Sequence, residues 1–235
     1  MTEMKTLGLI GGMSWESTVP YYRIINEYIG EKLGGLHSAR IILYSVEFDE
    51  LEKHMSAGNW DKIAEILTDA AVKLEQAGAD VLLICTNTMH RLYPKIREKV
   101  TVPMIHIADA AADEMESRGI KKAALLGTRY TMTGDFYTSR LKERGFEVFI
   151  PCEEDIQLVN TVIFDELCRG IITEKSRADF ARIIADLKAD GAEAVILGCT
   201  EIGMLISQDD SVLPVFDTTV IHAESAARFA LGMKD

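Results

Sequence analysis

The strongest constraint on the fold of this chain is an internal repeat. Residues 79–90 read ADVLLICTNTMH, and residues 192–203 read AEAVILGCTEIG. Each copy is an apolar run of strand length that ends in Cys-Thr, at Cys85 and at Cys199, and each follows an amphipathic helical pattern that ends in Gly-Ala. A cysteine at the carboxyl end of a buried parallel strand lies where open α/β sheets bind their ligands. Two such cysteines predict one site that both halves of the chain build.

The repeat extends beyond the two cysteine segments. KTLGLIGG at residues 5–12 matches KKAALLGT at residues 121–128, and the X-Pro segments at Pro103 and Pro214 match in the same way. Matching landmarks lie between 111 and 116 residues apart. This spacing predicts two related domains, each of ordinary domain size. We expect the first to comprise residues 1–105 with 215–235, and the second residues 106–214.

Apolar runs alternate with amphipathic helical patterns along both halves. Continuous apolar strands between helices are typical of parallel sheets covered on both faces. We therefore predict an α/β protein of two pseudo-symmetric domains. Each should be an open, mainly parallel sheet flanked by helices, with the active site in the cleft between the domains.

The composition narrows the choice of partners and of compartment. The formal net charge of −12 argues against nucleic acid and against anionic membranes, both of which favour a basic surface. No apolar run reaches the length of a membrane span, and the N-terminal residues read as a strand and a glycine loop rather than as a signal peptide. Four cysteines without a secretion signal favour free thiols and a cytoplasmic location.

The two repeated cysteines are the candidate catalytic residues. A thiolate on one side of a carbon and a thiol on the other can remove and return a proton, which inverts a stereocentre. Backbone N–H groups at helix N-termini after the strands are expected to lower the thiol pKa. The alternatives are two small buried apolar residues, a disulfide or a metal site, although no CxxC pair is present and the histidines are scattered. Cys152 and Cys168 have no repeat partners, and we interpret them as structural.

Polar residues follow both cysteines. Thr86, Asn87 and Thr88 can hydrogen-bond a substrate carboxylate, but such residues are also good helix N-caps. Thr200 and Glu201 occupy the matching positions in the second half. Glu201 could bind a substrate ammonium group or tune the second cysteine, and the alternative is a solvated glutamate at a helix start.

A glycine loop follows the first predicted strand. Gly11, Gly12, Met13 and Ser14 lack the dinucleotide spacing GxGxxG, and no GKS or GKT follows them. Nucleotide binding is therefore not expected. The loop is better suited to a close approach of the backbone to a small ligand.

Six segments together resemble the aspartate/glutamate racemase family, in particular its bacterial broad-specificity branch: GLIGGMSWEST, CTNTMH, IHIADA, LLGTRYTM, GCTEIG and LPVFDTT. The resemblance covers essentially the whole chain. It implies a pyridoxal-independent racemase of aspartate and glutamate, in a family that commonly forms homodimers. The residues themselves show no dinucleotide or metal signature, so neither a cofactor nor a metal is expected. The resemblance also implies that Cys85 and Cys199 are paired acid/base residues, and it places Met13 and the threonines and asparagine of the two motifs near the substrate.

Some motifs of this chain differ from those of related racemase branches, so alternative functions remain open. The glutamate racemases proper resemble DSGxGG at the first loop and GCTH at the second cysteine, whereas this chain has GGMSWE and GCTE. Archaeal aspartate racemases place an arginine after the second strand, where this chain reads VEFDELEKH. A maleate isomerase and an arylmalonate decarboxylase are the alternatives within the superfamily. A non-catalytic protein that binds or senses a small molecule is the alternative from another class.

Overall fold

A computed structural model describes residues 3–233 of the chain. Contacts divide the chain into two compact units, Met1–His106 with His222–Asp235 and Ile107–Ile221. The chain therefore returns from the second unit to the first between residues 221 and 222, later than the expected boundary between residues 214 and 215. The reason is that the last strand, Val215–Asp217, pairs with a strand of the second unit and extends its sheet.

The first unit contains a four-stranded parallel sheet. In chain order its elements are β1 (Thr6–Gly11), α1 (Trp15–Leu33), β2 (Arg40–Ser45), α2 (Phe48–Ser56), α3 (Trp60–Gln76), β3 (Val81–Ile84), a 3-10 helix (Thr88–Leu92), α4 (Tyr93–Arg97) and β4 (Met104–Ile105). The strand order in the sheet is β2-β1-β3-β4.

The second unit has a parallel sheet of the same design, with the order β6-β5-β7-β8. Its elements are α5 (Ile107–Ser117), β5 (Lys122–Gly127), α6 (Arg129–Thr133), α7 (Asp135–Glu143), β6 (Glu147–Phe149), α8 (Glu153–Asp165), a 3-10 helix (Leu167–Arg169), α9 (Glu174–Ala189), β7 (Ala194–Gly198), two 3-10 helices (Ile202–Met204 and Gln208–Asp210) and β8 (Val215–Asp217). The last helix, α10 (Thr218–Ala230), crosses the unit boundary.

The central strands are buried because helices cover both faces of each sheet. Strands β3 and β7 are buried along their whole length, as the uninterrupted apolar runs predicted. In the first unit, an alanine-rich face of α10 packs against the apolar side chains of β1 and β3. Burial of this kind contributes about 25 cal/mol per Å² of apolar surface removed from water, and it holds the strand ends in fixed positions.

The strand order places each cysteine at a topological switch point. The chain leaves β1 towards β2 and then returns to β3, on the other side of β1, so the loops that follow β1 and β3 diverge. The crevice formed where loops diverge is the ligand site of open α/β sheets. The same reversal occurs between β5 and β7. The predicted fold class, two related α/β units with parallel sheets, is confirmed.

Two further features of the described chain bear on the expectations. Helix α2 occupies most of the stretch VEFDELEKH, where no helix was expected. Within residues 3–233, none of the helices combines the length and the apolar character needed to cross a bilayer.

Candidate active site

Cys85 directly follows β3, and the end of β1 fixes its backbone. Its N–H donates to the carbonyl of Ile10 over 2.9 Å, so the residue continues the pairing between the two central strands. The side chain is fully buried, and burial raises the pKa of the Cys85 thiol well above its ordinary value. Cys85 is therefore a protonated thiol when no ligand is bound.

The glycine loop between β1 and α1 is tightly ordered by local hydrogen bonds. The N–H of Gly12 donates to Oγ1 of Thr18 over 2.8 Å, and the same hydroxyl donates to the carbonyl of Ser14 over 2.8 Å. Ser14 also accepts from the N–H of Ser17 and caps α1. Met13 is buried within this loop. The loop follows the strand that borders Cys85, so we define the Cys85 half-site as residues 12–14 and 85–88.

The polar residues after Cys85 are buried, which favours binding over simple capping. Asn87 immediately precedes the 3-10 helix Thr88–Leu92, yet its side chain makes no capping hydrogen bond to that helix. Only 2% of Asn87 is exposed, and Thr86 and Thr88 are buried with it. The capping interpretation therefore does not account for Asn87.

Cys199 directly follows β7 and contacts a carboxylate. Its Sγ donates to Oε2 of Glu201 over 3.0 Å, and the hydroxyl of Thr200 donates to the same oxygen over 2.7 Å. Glu201 is only 3% exposed, so the alternative of a solvated glutamate is wrong. We define the Cys199 half-site as residues 199–201 with Cys168, whose Sγ lies 3.8 Å from Oε1 of Glu201.

Burial outweighs the lowering of the thiol pKa that backbone N–H groups after the strands were expected to provide. At Cys199 the backbone N–H of Glu201 lowers the pKa, but burial, the largest cause, raises it, followed by the charges of Glu201 and Cys168. The helices that follow the cysteines are short 3-10 segments, Thr88–Leu92 and Ile202–Met204. Their few peptide dipoles do not compensate for the desolvation of a buried thiolate.

The sequence did not identify Cys168 as part of this site. It lies in the 3-10 helix Leu167–Arg169, which is remote in sequence from Glu201 and shows no repeat pattern. Only the packing of the second unit brings the two together. Cys152, the other cysteine outside the repeat, is exposed at the start of α8, and all four cysteines are free thiols. Within residues 3–233, no group of three or more His, Cys, Asp or Glu residues is arranged to hold a metal ion.

Comparisons with known proteins identify the family of the chain. The sequence matches the model of the Asp/Glu/hydantoin racemase family over residues 10–226. It is 26% identical over 232 residues to the broad-specificity amino-acid racemase RacX of Bacillus subtilis strain 168, covering 93% of this chain and 95% of that protein.

Two solved structures are similar over nearly the whole chain. A candidate Asp/Glu racemase from Yersinia pestis has 52% sequence identity and a TM-score of 0.91, with 97% of this chain and 100% of that one covered. An aspartate racemase homologue from Pyrococcus horikoshii OT3 has 38% identity and a TM-score of 0.85, again with 97% and 100% covered. By its sequence and by the fold that carries its two Cys-Thr motifs, the chain belongs to the Asp/Glu/hydantoin racemase family.

Proposed function

We propose that this protein is a cofactor-independent racemase that interconverts the L- and D-enantiomers of aspartate and glutamate. Cys85 and Cys199 are its two acid/base residues. One observation carries the proposal: both units end the strand beside their switch point in a buried Cys-Thr. The names of the relatives support the reaction class, because one is an amino-acid racemase of broad specificity and another an aspartate racemase homologue.

The proposed proton path starts at Glu201. Its carboxylate accepts the proton of Cys199, 3.0 Å away, which produces the thiolate that a buried thiol does not form readily. The thiolate removes the α-proton of one enantiomer, and the electron pair of the C–H bond moves into the substrate carboxylate. Cys85, a thiol, donates its proton to the opposite face of the same carbon. Exchange with solvent then returns a proton to Cys85 and removes one from Glu201.

The opposite enantiomer reacts by the reverse sequence, with Cys85 as the base. Thr86, Asn87, Thr88 and Thr200 are the proposed donors to the substrate carboxylate, on which negative charge develops when the α-proton leaves. Donors that are already in position stabilise such charge without reorganisation. Met13 is proposed to contact the substrate from the glycine loop.

The preference for an acidic side chain rests on the relatives rather than on a residue of this chain. No arginine is present in residues 46–54, where one could pair with a distal carboxylate. We therefore propose that recognition of the distal group is loose and that several amino acids react. A cytoplasmic location and a homodimer are part of the same proposal, supported by the four free thiols and by the family resemblance.

The direct test follows the α-proton. Purified protein is treated with a chelator and incubated without pyridoxal phosphate in deuterated water, with L- and D-aspartate, L- and D-glutamate and alanine. We expect loss of the α-proton signal and of optical rotation for the acidic amino acids. Each of the variants Cys85→Ala and Cys199→Ala should lose roughly 100- to 10,000-fold in turnover, because each removes one of the two acid/base groups.

Cys152→Ala is the matched control, since it removes an exposed thiol outside both half-sites. It should keep wild-type activity. Normal turnover in either Cys85→Ala or Cys199→Ala, with the fold intact by circular dichroism, contradicts the two-base mechanism. A wild-type protein that exchanges no α-proton contradicts the racemase assignment.

A further inference from the structure

We propose that His90 is a positioning residue of the Cys85 half-site. It binds the backbone carbonyl of Thr86, the residue next to Cys85, and through that peptide it orients the donors of Thr86 and Asn87. The inference rests on the proposed function, in which these donors bind the substrate carboxylate.

His90 binds both carbonyls that follow the cysteine. Its Nδ1 lies 2.8 Å from the carbonyl oxygen of Thr86, and because a carbonyl only accepts, Nδ1 carries the hydrogen. The backbone N–H of His90 donates to the carbonyl of Asn87 over 3.0 Å. Two consecutive peptides of the motif are thus held by one residue, and the ring itself is buried.

Aromatic neighbours hold the imidazole ring of His90 in place. Tyr93 stacks on it, with ring centroids 6.3 Å apart and planes inclined by 11°. The rings of His106 and His222 meet it edge-on at 4.4 and 5.8 Å. A ring surrounded in this way has little rotational freedom, so its Nδ1–H keeps a fixed direction towards Thr86.

His222 is itself fixed by two hydrogen bonds within the first unit. Its Nε2 lies 3.0 Å from the carbonyl of Ile105 and must donate to it, which leaves Nδ1 to accept from the hydroxyl of Tyr21 over 2.9 Å. Burial lowers the pKa of His222 to about 4. At neutral pH the ring of His90 therefore packs edge-on against the neutral imidazole of His222, which two hydrogen bonds hold in place.

The second unit provides an internal comparison. The repeat places Glu201 opposite Asn87 and Met204 opposite His90. The N–H of Met204 donates to the carbonyl of Glu201 over 3.1 Å, so the backbone turn after Cys199 closes in the same way. A methionine side chain has no N–H to offer. The turn after Cys199 therefore closes without a hydrogen bond from the side chain at the position of His90, and the bond from His90 to the carbonyl of Thr86 is specific to the Cys85 half-site.

The two half-sites differ in the group beside each cysteine, and this difference suggests a role for the hydrogen bond from His90. Cys199 has the Glu201 carboxylate at 3.0 Å, which can both orient the thiol and accept its proton. The residue at the equivalent position after Cys85 is an amide, Asn87. Proton transfer at Cys85 then depends on how accurately the neighbouring donors hold the substrate. A misplacement of about 1 Å can cost on the order of 100-fold in rate.

Two matched substitutions test the role of the Nδ1–H. His90→Asn puts an amide nitrogen near the place of Nδ1, whereas His90→Gln puts it near the place of Nε2, and both remove the ring. We expect His90→Gln to lower kcat/KM about 10- to 100-fold and His90→Asn to recover most of that loss. His37→Gln, at an exposed histidine, should behave as wild type.

The primary deuterium isotope effect on kcat/KM separates positioning from lost stability. In His90→Gln the isotope effect should rise for the enantiomer that Cys85 deprotonates and fall for the other, because only one proton transfer has been slowed. A merely structural defect reduces the active fraction and leaves both isotope effects unchanged. Unchanged isotope effects in an active His90→Gln, or equal losses in His90→Asn and His90→Gln, overturn the inference alone. Absence of α-proton exchange in wild type overturns the proposed function instead.

Discussion

At the scale of single residues, Glu201 is the group that most distinguishes the two half-sites. Its carboxylate is buried and accepts hydrogen bonds from Cys199, Thr200 and Cys168. The carboxylate has two opposed effects on Cys199. It repels a thiolate, and so contributes to the raised pKa, but it is also the acceptor through which the thiol can lose its proton.

Glu201→Gln decides which of these two effects controls the rate. The amide keeps the shape of the side chain but has neither the charge nor the basicity. We expect kcat to fall about 100-fold or more, because a proton acceptor in contact with the thiol is lost. If instead repulsion dominates, the variant will match or exceed the wild type, and Glu201 is not the base. Steady-state kinetics in both directions provide the measurement.

Cys168→Ala is the companion variant. It leaves the carboxylate in place and removes the long contact of 3.8 Å to Oε1. We expect kcat within about threefold of wild type, since a weak thiol donor contributes little. A loss as large as that of Glu201→Gln would show that Cys168 takes part in the proton path.

The sequence predicted the two cysteines well but not their surroundings. The repeat alone placed Cys85 and Cys199 at equivalent strand ends, because strand length and register follow from the apolar pattern. The raised pKa of both thiols could not be predicted from the apolar pattern, since it depends on how completely distant segments of the chain cover them. The contacts of Cys168 and His90 also depend on tertiary packing and could not be predicted for the same reason.

At the scale of secondary structure elements, the loop between β1 and α1 is under a tight geometric constraint. Gly12 has a φ of 87°, a conformation that favours glycine, and a Cβ atom there would lie 2.4 Å from the carbonyl oxygen of Val46. Val46 cannot easily yield, because its N–H donates to the carbonyl of Gly11 and extends the pairing of β1 with β2. The loop therefore has room for backbone only.

Gly12→Ala should be markedly destabilising, and Gly58→Ala provides the control. Gly58 has a similar φ of 71° and belongs to the same unit, but a Cβ atom there would meet no other group within 4 Å. We expect Gly58→Ala to cost about 1–2 kcal/mol from the backbone conformation alone and Gly12→Ala to cost at least about 1 kcal/mol more from overpacking. Urea unfolding of both variants measures the difference. Equal free energies of unfolding would mean that the loop moves freely to accept the methyl group.

Strands were easier to predict than the helices around them. Four central strands, β1, β3, β5 and β7, follow from apolar runs bounded by glycine or by the Cys-Thr motifs. Helix α2 was not expected, because it begins soon after β2 ends and no glycine or proline separates them. Its N-cap is the side chain of Glu47, which accepts from the N–H groups of Asp49 and Glu50 and which is not a common capping residue.

At the scale of the whole molecule, the two units differ in their titratable groups. All five histidines of the chain belong to the first unit. The duplicated fold has therefore kept the same sheet order in both units while the buried polar groups have diverged. In the first unit, burial lowers the pKa of His222, so its imidazole stays neutral at mildly acidic pH. The second unit contains a half-buried carboxyl, Asp217, and desolvation raises its pKa.

These two groups predict opposite responses to acid. His222 has a folded pKa of about 4 against an ordinary 6.5, so between these values the unfolded chain binds more protons and the first unit loses stability as the pH falls. The full effect is about 3 kcal/mol, complete near pH 4. Asp217 acts with the opposite sign, because its raised folded pKa makes the folded second unit bind more protons as acid is added.

Hydrogen exchange read by mass spectrometry at pH 7 and pH 4.5 measures the stability of each unit separately. We expect protection to fall in the first unit and to hold or rise in the second over this interval. His222→Gln keeps a neutral polar side chain that does not titrate, so it should flatten the response of the first unit even if it lowers stability at pH 7. Parallel loss of protection in both units, or the same pH slope in His222→Gln as in wild type, would show that His222 does not govern the acid sensitivity of this protein.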